Sequence, residues 1–169
     1  MAFIVEDDLV VSFAEFQDLV DTDQRLLEAN GGLSDDVVEA QLRRATERIL
    51  NKIRASAWWI SYYTQRDTTT QYRTRADIPA VDPNKIKSRE NDFTELAVYT
   101  ALWEYILPSI ADFSNADSSE RQKMGYYTNK AEELFGELIT AGDWYDFDGD
   151  DTIESSERSP GQYNLKRVR

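Results

Sequence analysis

Residues 34–60 read Ser-Asp-Asp-Val-Val-Glu-Ala-Gln-Leu-Arg-Arg-Ala-Thr-Glu-Arg-Ile-Leu-Asn-Lys-Ile-Arg-Ala-Ser-Ala-Trp-Trp-Ile. Val38, Leu42, Ala45, Ile49, Ile53, Ala57 and Ile60 recur here at steps of 4, 3, 4, 4, 4 and 3. Those steps trace one face of an α-helix. Ser34 stands where a helix takes its cap. Asp35 and Asp36 fall in the first turn, where the helix dipole favours negative charge. Arg43, Arg44, Glu47, Arg48, Lys52 and Arg54 occupy the remaining faces. The spacing predicts a helix over 34–63. Its far end is heavy with Trp58, Trp59, Tyr62 and Tyr63, which read as core or a subunit contact before a binding platform.

On the N-terminal side, residues 3–11 form a short apolar and acidic opening. Ser12 and Glu15 have the spacing of a capping box. Phe13, Phe16, Leu19 and Val20 then mark a short helix near 13–20, with an extension through Leu26 and Leu27 left open until Gly31-Gly32. On the C-terminal side, residues 64–82 lose the helical period, and threonine and tyrosine favour an extended arm or hairpin around Thr70, Tyr72 and Thr74. Asp82-Pro83 reads as cap and first helical residue. The run Phe93 to Leu107 is apolar on most sides and reads as the buried helix, over 83–107, ending at Pro108. Met124, Tyr127, Ala131, Leu134, Leu138 and Ala141 mark a last helix over 118–141, closed by Gly142. The apolar stripes end there. The fold class expected is all-α: a single-domain bundle of about four helices, with an extended central arm and a non-helical C-terminal tail. The segments are 1–142 (helical), 143–157 (acidic loop) and 158–169 (basic tail).

Composition narrows the function classes. The 169 residues carry 32 Asp and Glu against 19 Lys and Arg, a net charge of −13. A chain this acidic is a poor partner for broad contact with DNA or anionic lipid. It contains neither Cys nor His. Disulfides, thiolate or imidazole metal sites, Cys nucleophiles and Ser-His-Asp triads are therefore excluded. There is no glycine-rich phosphate loop. The carboxylates Asp7, Asp8, Glu90 and Glu95 read as solvated faces, because nothing fixes two of them at a catalytic separation. The expectation is no enzyme. There is no run of about 18 apolar residues to span a membrane, and no secretory signal pattern at the start.

The sharpest local motif is residues 146–157, Asp-Phe-Asp-Gly-Asp-Asp-Thr-Ile-Glu-Ser-Ser-Glu. Asp146, Asp148 and Asp150 match positions 1, 3 and 5 of an EF-hand calcium loop. Thr152 matches position 7, Glu154 position 9 and Glu157 the bidentate position 12. Position 6 is Asp151 instead of glycine, so the turn there needs a positive φ from an aspartate. Arg158-Ser159-Pro160-Gly161 bars an exiting helix. The motif predicts a divalent cation, calcium before magnesium. The competing reading is an acidic, solvated turn.

Residues 158–169 carry Arg158, Lys166, Arg167 and Arg169 and no acid, so the body is more acidic than the whole chain. Tyr163 and Leu165 add apolar anchors. Together these six residues read as a partner-binding arm, set against the simpler reading of a frayed terminus.

The order of these features resembles the head–tail connector (adaptor, or head-completion) proteins of tailed bacteriophages. The residues carrying the resemblance are Phe3 to Val10, Leu33-Ser34-Asp35-Asp36, Ala40, Ala45, Ile49, Trp58-Trp59, Asn84-Lys85-Ile86 and Ala97 to Leu102. The resemblance is one of layout over residues 3–141. It implies a virion protein of the neck, made in the host cytoplasm and assembled as a homo-oligomeric ring, usually of twelve copies. Such a ring sits between the portal protein and a tail, stopper or terminator protein. Genomic DNA passes through it without sequence-specific binding, and a C-terminal extension contacts the portal or adjoining subunits. A calcium-binding helical adaptor with no virion role is the alternative.

Overall fold

The computed structural model describes residues 3–66, 72, 74–114 and 118–158. It is mostly helical, as the sequence predicts, and adds a small two-stranded sheet. Strands β1 (Ile4–Glu6) and β2 (Leu9–Ser12) pair antiparallel, with Val5 opposite Val10 and Glu6 opposite Leu9. Asp7 and Asp8 make the turn with φ of 50° and 64°. A two-residue hairpin whose turn matches strand twist needs positive φ at both centres, and aspartate tolerates it. The apolar and acidic opening is therefore a hairpin.

Helix α1 spans Phe16–Ala29 and kinks at Asp23, where φ is −145° and ψ is 69°. Its start differs from the expected capping box. The Ser12 hydroxyl donates to the Ala14 carbonyl, and the Asp18 carboxylate accepts from the Glu15 N–H at 2.9 Å. The pairing has moved three residues along the chain because Ser12 still belongs to β2. The Asp23 carboxylate, buried beneath the kink, accepts from Lys123 Nζ at 2.6 Å and from the Tyr127 hydroxyl at 3.1 Å.

The decisive stripe holds in α2 (Asp35–Ala55): Val38, Leu42, Ala45, Ile49 and Ile53 are all buried. Ser34 precedes the helix but its side chain makes no cap bond. The helix does not run unbroken to 63. Ser56 leaves helical geometry at ψ 152° and its hydroxyl accepts from Trp59 N–H, so it starts a second helix, α3 (Ala57–Arg66). The change of direction buries Trp59, whose indole N–H donates to the Pro79 carbonyl at 3.0 Å.

Of the segment expected to leave the body as an arm, the described residues 74–82 are tied to the body. Helix α3 occupies its first residues, and Ile78 and Val81 are buried. Arg54 on α2 donates to the Ile78 carbonyl. Thr74 keeps the extended backbone its type favours, at φ −129° and ψ 159°. Thr70 of the suggested hairpin is outside the described residues.

Asp82 caps as expected, accepting from Asn84 N–H at 3.0 Å, but it opens only a 3-10 turn, Pro83–Lys85. Helix α4 (Glu90–Ala101) begins later, after Arg89 at φ 59°. It is the buried helix, with Phe93, Leu96, Ala97, Val98 and Ala101 inside. A π-helical turn, Leu102–Ile106, follows and runs into α5 (Leu107–Ile110), so the chain stays helical past Pro108. Pro108 comes just after the π-helical turn, where the regular i→i−4 ladder is already interrupted. Helix α6 (Ser119–Ala141) matches its expected span, with Ser118 accepting from Arg121 N–H and Gly142 closing it at φ 58°.

The core does not stop at Ala141. Trp144, Tyr145 and Phe147 are buried with it. Trp144 lies 4.9 Å, centroid to centroid, from both Trp58 and Phe93, and Phe147 stacks on Tyr62 at 3.6 Å. The aromatic cluster at the end of the decisive stretch is thus core, and its other half comes from residues 144–147. Among the described residues no helix is long and apolar enough to cross a membrane.

Candidate metal centre

Two short backbone stretches position the acidic loop. Ile86 and Tyr145 form an antiparallel bridge, Lys87 N–H donates to Trp144 O, and Asp146 N–H donates to Lys85 O, both at 2.9 Å. Trp144 and Tyr145, anchored in the core, thereby deliver Asp146 to a fully buried position at the mouth of the loop. The alternation Trp144, Asp146 and Tyr145, Phe147 is what extended chain does with side chains on two sides.

The loop folds around two carboxylates. Asp146 accepts from Gly149 N–H at 2.6 Å on one oxygen and from Asp151 N–H at 2.9 Å on the other. Glu157, on the single helical turn α7 (Ser155–Arg158), is 3% exposed. One of its oxygens accepts from Phe147 N–H at 2.8 Å and Asp148 N–H at 3.2 Å, and the other from Glu154 N–H at 2.9 Å. The first and twelfth positions therefore clamp the loop from both ends. Asp151 at position 6 adopts φ 66°, the left-handed geometry the motif demands there, and Gly149 lies at φ 84°.

The geometry gathers part of the predicted ligand set. Asp146, Asp148 and Glu157 each place one carboxylate oxygen within 4.8 Å of the others. Asp150 is turned to Thr152, accepting from its hydroxyl at 2.6 Å and its N–H at 2.9 Å. Glu154 is likewise outside the three-carboxylate group, and Thr152 is expected to offer only its backbone carbonyl. The three gathered residues are hard oxygen donors, and every N–H-bonded oxygen keeps a second lone pair except the Glu157 oxygen that Phe147 and Asp148 share. That donor chemistry fits calcium or magnesium.

Electrostatics match the crowding. The Asp148 carboxyl is pushed above its ordinary value, first by desolvation and then by the charges of Asp150, Glu157 and Asp146. The Thr152 hydroxyl holds Asp150 below the usual range. Two lysines that sequence reading did not connect to the loop stand beside it. Lys85 Nζ donates to the Phe147 carbonyl at 3.1 Å, and Lys87 Nζ pairs with Asp151 at 2.7 Å. Arg89 pairs with Asp143 at 2.5 Å and holds that carboxyl below its ordinary value. The only sequence hint of this grouping is the bunching of three cations at 85, 87 and 89.

Of the six arm residues, Arg158 is exposed at the end of α7. Tyr163, Leu165, Lys166, Arg167 and Arg169 lie outside the described residues.

No family model, curated protein or solved structure matches the chain.

Proposed function

We propose that the protein is a structural assembly subunit of the head–tail connector kind, a neck protein that joins capsid portal to tail as a ring around the DNA passage. The observation that carries this reading is the order of elements. A hairpin opening leads to a short helix, then the long striped α2, the buried α4 and the long α6. The acidic composition also supports it, since a duplex slides past a negatively charged wall without sticking. The basic residues from Arg158 to Arg169 are the arm toward the portal or a neighbouring subunit. Co-expression with the portal protein tests the reading: a connector co-purifies with it and appears as a ring, twelve copies being the expected number. A chain that stays apart from the portal at low and moderate salt is not a connector.

A second reading rests on the gathered Asp146, Asp148 and Glu157: a calcium-binding helical adaptor without a virion role. Within either reading the finer assignment is calcium before magnesium. Calcium accepts an irregular shell of six to eight oxygens, while magnesium demands a strict octahedron and keeps its waters. Calorimetry separates the cases, with calcium heat that disappears in Asp146→Ala. No heat with either ion returns the loop to an acidic turn.

A further inference from the structure

A cavity of about 410 Å³ opens between α2, α4, the π-helical turn and α6. Its inner surface is Ile49, Leu96 and Ala131, and Trp103 and Phe135 wall it. Small-molecule sites have this size and this mostly apolar lining, with few polar groups. One wall comes from an irregularity in the fold. Trp103 and Glu104 stand on the π-helical turn Leu102–Ile106, which interrupts the regular ladder after α4. Such turns are rare and recur at functional sites.

One hydroxyl inside the cavity has nothing to bond. Thr22, Thr46, Thr64, Thr128 and Thr140 all lie in helices, and each donates to the carbonyl four residues back. Thr94 donates to the Phe13 carbonyl. Thr100 lines the cavity and is 6% exposed, and its hydroxyl has no partner among the described residues. A buried hydroxyl without a bond is a cost that a guest's polar group removes. Water holds such a place through about two to four polar contacts, and the inner surface offers this one.

The charges at the rim cancel. Arg48 pairs with Glu104 at 3.1 Å, and Lys52 lies over the Phe135 ring at 4.2 Å with Glu132 on the same rim. Two cations against two carboxylates draw in neither sign of ion. An ion passing the apolar walls would also lose its hydration without gaining a partner. The aromatic walls suit a flat ring, in stacked or edge contact. The geometry points to this cavity as a binding site for a small uncharged aromatic molecule, its ring against Trp103 and Phe135 and one hydroxyl-like group on Thr100. The inference stands whether or not the protein joins a portal.

The probe is 2-naphthol, with naphthalene as the analogue lacking the hydroxyl and 2-naphthoate as the charged one. Binding to the full chain is followed by amide chemical shifts. In the wild type 2-naphthol should shift residues 96–104 and 131–135 and bind about fivefold more tightly than naphthalene, the worth of one hydrogen bond. The carboxylate of 2-naphthoate should weaken binding about tenfold or more. Thr100→Val keeps the side chain's shape and should erase the preference for 2-naphthol while both uncharged probes still bind. Ala131→Phe fills the cavity and should abolish binding of both. If that variant fails to fold, Thr100→Val decides alone. No saturable shift with 2-naphthol, shifts confined to other residues, a preference that survives Thr100→Val, or equal binding of 2-naphthoate overturns the proposal. Shifts of the same amides that follow protein concentration without any probe would make this face a contact between copies, and overturn it too.

Discussion

Helix α2 and the segment 143–158 are both built into the core, but they are fastened by different physics. In α2 the burial is periodic: five apolar side chains on one face vanish from solvent, and the opposite faces stay charged. In 143–158 no period exists. Three aromatic anchors, Trp144, Tyr145 and Phe147, carry the burial. Buried carboxylates and short backbone pairings fix everything between them. A periodic face is redundant, because neighbouring side chains share the work. A loop held by single anchors is not. Losing one anchor there should release a whole segment.

The largest effect expected is from Trp144→Ala. Trp144 is fully buried against Trp58 and Phe93 and donates its indole N–H to Leu138 O at 2.7 Å. Truncation should cost about 3–5 kcal/mol, read as a shift of the urea midpoint. Ile49→Ala in the stripe should cost about 2–5 kcal/mol, and helicity by circular dichroism should hold. If Ile49→Ala proves the costlier of the two, the contrast between shared and single anchors is wrong.

Glu157→Gln keeps the shape but removes the charge that three N–H donors share. A loss of about 1–3 kcal/mol is expected, with faster hydrogen exchange confined to 146–157. Unchanged exchange there would show that the aromatic anchors alone shape the loop. Gly142→Ala sharpens the point at the junction of α6 and the segment. The positive φ costs a β-carbon about 1–2 kcal/mol, and the clash with Arg158 O must displace α7 as well. A neutral result would mean that α7 does not close against α6.

The smallest effect is electrostatic. Arg89 depresses the Asp143 carboxyl, so its folded pKa lies below its unfolded one. The stabilisation is complete above the unfolded value of about 3.9 and fades as pH falls through the folded value. The pair is about one-third exposed, so solvent screening limits it to under about 1 kcal/mol. Wild type should therefore exceed Asp143→Asn in stability at pH 6, and the gap should narrow as pH falls below about 3.9. Parallel curves across that window would remove the pair from the account.

The sequence by itself determined the parts whose cause is local and repeated. Val38 to Ile53 announced α2 because a helix returns every third or fourth residue to one face. Met124 to Leu138 announced α6 in the same way, and Ser118 and Gly142 marked its ends. The alternating acids at 146, 148 and 150 with Glu157 announced the loop, because a hard cation needs carboxylates at fixed offsets. Only the tertiary structure decided what rests on meetings between distant residues. Ser56 breaks the stripe so that Trp59 can meet Pro79 O, twenty residues away. Ile86 leaves the expected long helix to pair with Tyr145. Asp146 and Glu157 are gathered by residues 85–87 and the aromatic core, while Asp150 stays with its neighbour Thr152. A residue's own propensity and spacing cannot encode such choices, since the deciding energy lies in a partner that folding alone brings within reach.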